Sequence, residues 1–63
     1  MKIDESTIDY NALLAIKGVT ENMADILANS KDDDEIRMAS LKSTLFSLGV
    51  IDMAERMKEV LKQ

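Results

Sequence analysis

Asp33–Leu48, DDEIRMASLKSTLFSL, is the stretch on which the fold turns. Past Glu35 its only charged residues are Arg37 and Lys42, so it reads as a helix with almost no charged face. At about 100° per residue, Met38, Leu41, Leu45 and Leu48 fall on one arc. Ile36, Ala39 and Phe46 fall on a second arc, set apart from the first by Lys42. Ser40, Ser43, Thr44 and Ser47 make a small, uncharged strip. A helix that is apolar or neutral nearly all round is covered on most sides in a folded protein. A chain of 63 residues has little with which to cover it. The segments at 20–29 and 50–62 are expected to cover the Leu arc, which leaves the Phe46 arc in need of a partner.

Working outward, the whole chain forms one small helical domain over residues 1–63. At this length only about 60% of the unfolded chain's surface can be buried, so folds of this size commonly draw on disulfides, metals or association. The chain has no cysteine, which removes disulfides and thiolate metal sites, and no histidine, which removes the commonest general base and transition-metal ligand. Association remains as the means of stabilisation. Twelve acids against eight bases give a net charge of −4, which disfavours nucleic-acid backbones and anionic membranes. No apolar run approaches the roughly 18 residues of a membrane span, and MKIDEST lacks the apolar core of a signal peptide, so a cytoplasmic location is expected.

With no proline, helix is the expectation throughout. Asp4 is a candidate N-cap, with Ile3 and Ile8 placed as a hydrophobic staple; Ser6 with Asp9 is the competing cap. Lys17, Gly18, Val19, Thr20 and Glu21 match a helix stop followed by a fresh N-cap. A continuous helix from about residue 6 to 29 is the alternative, since Leu13, Ile16, Thr20, Met23 and Leu27 keep helical spacing through the glycine. The break is favoured because three local signals agree. Residues 29–32 suit a tight connection between antiparallel helices, and Asp32 or Asp33 should cap the next one. Gly49, between Leu48 and Val50, reads as the end of that helix. Val50, Met53, Met57 and Val60, flanked by Ala54 and Leu61, then form the apolar side of a last amphipathic helix.

Candidate chemistry is sparse. Consecutive Asp32, Asp33 and Asp34 diverge and have no nearby glycine, unlike a calcium loop, and serve better as capping groups than as metal ligands. Ser40, Ser43, Thr44 and Ser47 have no histidine to activate them, and Lys42 would act as a base only if deeply desolvated. The acids lie at helix starts or on polar faces, outside any pocket that could tune them. Neither an enzyme nor a bound cofactor or metal is expected. A helix-turn-helix centred on Gly49 would put Asp52, Glu55 and Glu59 on its recognition helix, and Leu45 where a close crossing wants a small residue. An acidic mimic of DNA would need rows of carboxylates, whereas here acids and bases are interleaved.

Residues 39–61 also carry Leu41, Lys42, Gly49, Ala54, Lys58 and Glu59 in an order that resembles the phosphotransfer hairpin of histidine-phosphotransfer domains. The phosphorylated histidine of that family falls on Ala39 and its close-packing glycine on Ser43. The resemblance implies a docking module for a receiver domain or kinase that cannot itself be phosphorylated.

The sequence therefore predicts an all-α domain of three or four short helices in an up-down bundle, completed by homodimerisation. Its predicted role is that of a small non-catalytic regulatory or adaptor protein that binds another protein through a helical surface. The candidate interface residues are Ile36, Met38, Ala39, Leu41, Ser43, Leu45, Phe46, Met53 and Met57. The five methionines suit an adaptable contact surface as well as a core.

Overall fold

Asp4 starts the first helix. In the computed structural model, which describes residues 3–63, its Oδ1 accepts the Thr7 backbone N–H at 2.9 Å and the hydroxyls of Ser6 and Thr7 at 2.8 and 3.0 Å. Helix α1 spans Glu5–Asn29 and ends where Ser30 turns extended, its N–H still donating to the Ile26 carbonyl at 2.8 Å. Asp32 caps the second helix, accepting the N–H groups of Asp34 and Glu35 at 2.9 and 3.4 Å. Asp33, Asp34 and Glu35 then sit in the first turn, against the positive end of the helix dipole. Helix α2 spans Asp33–Leu61. The three-residue connection returns α2 antiparallel to α1, and Met23 meets Ser40 near one end while Asp9 meets Lys58 near the other.

The fold is all-helical, but among the described residues it has two long helices where three or four short ones were expected. Both glycine stops are corrected. Gly18 lies inside α1 and Gly49 inside α2, and neither has a positive φ. An interior glycine costs only about 1 kcal/mol relative to alanine. The residue after each glycine explains why the helix continues: Val19 and Val50 are half-buried positions between the helices. Stopping at either glycine would remove a valine from that seam.

The seam has its own period. In α1 the residues turned toward α2 are Ile8, Ala12, Ala15, Val19, Met23 and Ile26, continued by Ser30 beyond its end, with Thr7 and Ile16 also half-buried beside that series; in α2 they are Ile36, Ala39, Ser43, Ser47, Val50, Ala54 and Lys58. Each series repeats after eleven residues, as in Ile8, Val19, Ser30 and in Ile36, Ser47, Lys58. Eleven residues over three turns give about 3.67 per turn, close to the natural α-helix, so the helices need not wind leftward around each other as seven-residue repeats require. The seam interleaves small side chains, such as Ala12, Ala15, Ala39, Ser43, Ser47 and Ala54, with larger ones such as Ile8, Val19 and Val50. Ile8 and Ala54, 5% and 8% exposed, are the buried residues among those described.

This corrects the reading of the Leu48 stretch. Met38, Leu41, Leu45 and Leu48, expected under the flanking helices, are all more than half exposed. Ala39, Ser43 and Ser47 lie against α1 instead. Small residues let two helix backbones approach closely, and the bulky Met38, Leu41, Leu45 and Leu48 are left to the flank. The Cα envelope, 48 × 18 × 11 Å, is that of one helical layer.

Candidate association surfaces

Ser47 lies in the seam, so one residue back and one residue forward point to opposite faces of the layer. Phe46 is on one face and Leu48 on the other. Ala54 divides Met53 from Glu55 in the same way, and Ile8 divides Thr7 from Asp9.

The Phe46 face carries a groove of about 620 Å³ over the half of the hairpin that holds the termini. Ile3, Thr7, Ile8, Asn11, Ala12 and Ala15 form its α1 wall, and Phe46, Gly49, Val50, Met53, Ala54 and Met57 its α2 wall. Among the described residues no charged one lines it. Phe46, Met53 and Met57 are 49%, 59% and 46% exposed. Gly49 opens the floor, since a Cβ built there would meet nothing within 4 Å.

The Leu48 face has a smaller groove of about 450 Å³, nearer the loop, between Val19, Thr20, Met23, Ala24 and Leu27 on α1 and Ser43, Thr44, Ser47 and Leu48 on α2. Its threonines are turned back on their own helices: Thr20 Oγ1 donates to the Ile16 carbonyl and Thr44 Oγ1 to the Ser40 carbonyl, each at 2.9 Å. They therefore present methyl groups to the groove. Toward the termini this face is charged. Lys58 Nζ donates to Asp9 Oδ1 at 2.9 Å and lies 3.7 Å from Glu55, and Lys62 lies 3.9 Å from Glu5. The Asp9 hydrogen bond holds the Lys58 ammonium above the usual lysine range, helped by the charges of Asp9, Glu55 and Glu5. At the start of α1, the Thr7 N–H and then the Ser6 and Thr7 hydroxyls hold the Asp4 carboxyl below the usual carboxylate range.

The candidate interface residues divide into three groups. Ile36, Ala39 and Ser43 are half-buried in the intramolecular seam. Phe46, Met53 and Met57 come together on the larger groove. Met38, Leu41 and Leu45 remain exposed on α2, away from that groove. The α1 wall and Gly49 were missing from the sequence-based set. One signal points to the α1 wall: Ile3 and Ile8, placed as a hydrophobic staple, both border the groove.

Among the described residues no group of three or more acidic side chains is gathered as a metal site, and no helix is long and apolar enough to cross a membrane. Because α2 runs unbroken through Gly49, the turn needed for a helix-turn-helix at that position is absent. No family model matches the chain, and neither a curated protein nor a solved structure matches it.

Proposed function

We propose that this chain is a small non-catalytic regulatory or adaptor protein that works as a homodimer in the cytoplasm and engages a target protein through a helical surface. The supporting observation is surface area. The chain exposes 5175 Å². A compact monomer of its mass, 7.0 kDa, would expose roughly 4,000 Å². The excess, about 1,100 Å² per chain, compares with the roughly 800 Å² that each partner buries in a standard interface. Domains stack at least two layers around a core, and a second copy of a one-layer hairpin supplies the missing layer with closed symmetry.

A two-fold axis covers one face of a flat hairpin and leaves the other outward on both copies. The outward face is the surface available to a target. Sedimentation tests the assembly: a particle of twice the 7.0 kDa chain mass is expected, and a fully helical monomer at high micromolar concentration contradicts it. For the regulatory role, a protein captured from the native host should bind the purified dimer when reconstituted. A captured protein that fails to bind in reconstitution, or no capture at all, counts against the role.

A further inference from the structure

We infer that the second copy seats on the Phe46 groove, with the terminus-bearing half of one hairpin on that of the other; this rests on the dimer reading above. Among the described residues both grooves have uncharged walls, so lining chemistry alone does not choose between them. Their surroundings do.

Size and shape come first. The Phe46 groove is the larger, and its rim carries long, adaptable side chains, Phe46, Met53 and Met57, that can interdigitate across a two-fold axis. Phe46, Met53 and Val60 recur every seven residues, the repeat of side chains packed between helices of different chains in a coiled coil. The eleven-residue seam is already occupied within the chain. Gly49 adds to this, because its open space admits a neighbouring side chain where any larger residue would fill it.

Charge points the same way. Residues 3–17 and 46–63, the half that carries the Phe46 groove, hold six acids and four bases. Residues 18–45 hold six acids and three bases, with four of the acids consecutive at the loop. Two copies meeting over their terminal halves keep those four consecutive acids apart. Meeting over the loop halves would bring like charges together. On the Leu48 face, moreover, the terminal half is closed by Lys58, Asp9 and Glu55, whose charges a partner chain would have to desolvate.

Because the chain has no cysteine, single cysteines report the covered face directly. Met53 and Leu48 are equally exposed within one chain, at 59% and 57%, so once each thiol's rate is divided by that of its own unfolded chain, which carries the same sequence neighbours, a difference between Met53→Cys and Leu48→Cys reports cover by another chain. At concentrations where sedimentation shows the dimer, N-ethylmaleimide should modify the Met53→Cys thiol at least tenfold more slowly than the Leu48→Cys thiol. Met57→Cys serves in place of Met53→Cys if that variant loses helicity. A protected Leu48→Cys, equal rates, or protection of both overturns the assignment of the face while leaving the dimer intact. A wild-type chain that sediments as a monomer overturns the dimer reading and the assignment together.

Discussion

The two faces of the hairpin are made by the same two helices and separated by single residues, yet they are finished to different degrees. On the Leu48 side, the terminal half is tied across the helices by the Lys58–Asp9 and Lys62–Glu5 pairs, and the groove that remains is small and methyl-lined. On the Phe46 side, the same half of the molecule has no crossing pair among the described residues and an open apolar groove. A one-residue step around a helix thus separates a surface that is self-satisfied from one that is not.

A charge placed on each side of Ser47 should separate the two faces most strongly. Phe46→Asp should weaken self-association by about 2 kcal/mol or more, roughly thirtyfold in dissociation constant, as loss of an aromatic anchor does. Leu48→Asp should change it by less than about threefold, within the range of surface substitutions. Equal effects measured by sedimentation would erase the distinction between the faces. Next in size, Ala54→Leu forces a large side chain into the seam that both faces share and should cost about 1–3 kcal/mol in thermal or denaturant unfolding. No loss would mean that the helices are not held at Ala54.

The fold was legible in the sequence where local chemistry decides it. Asp4 and Asp32 cap the helices as their short acidic side chains suggest, and residues 30–32 make the turn. Helix number was misread because each glycine next to an apolar residue matches a stop, while the contribution of Val19 and Val50 to the seam is visible only once the other helix is in place. The candidate surface was legible in part for a related reason. Periodicity tells which residues share an arc, so Phe46 stood apart from Met38, Leu41, Leu45 and Leu48. It does not tell which arc faces the neighbouring helix, and here the small residues Ala39, Ser43 and Ser47 took that place because they allow the closest approach.

The glycines themselves sharpen the comparison. Gly18 borders neither groove, so Gly18→Ala should gain the full difference in helix propensity, about 1 kcal/mol. Gly49→Ala has the same free space within the chain but sits in the groove assigned to the second copy, so its gain should be smaller. Equal gains in unfolding experiments would place Gly49 outside any contact.

The smallest effects come from pH, and they act on opposite sides. The folded state lowers the Asp4 pKa, so its capping contribution is present above the usual carboxylate range and is lost as pH falls through the lowered value. Acid should therefore loosen the start of α1 beside the Phe46 groove. The folded state raises the Lys58 pKa, so its contribution is complete below the usual lysine range and is lost as pH rises through the raised value. Alkali should loosen the tie on the Leu48 side, and Lys58→Met should remove that alkaline response. Helicity followed by circular dichroism against pH, with Asp4→Asn as the second variant, separates the two.

In the proposed dimer one hairpin is half of the folded unit. Sedimentation equilibrium over a wide range of chain concentrations, with helicity recorded on the same samples, is the decisive test. A particle of twice 7.0 kDa is expected, whose dissociation on dilution is accompanied by loss of helix. A chain that stays at 7.0 kDa with full helicity at every concentration would contradict it.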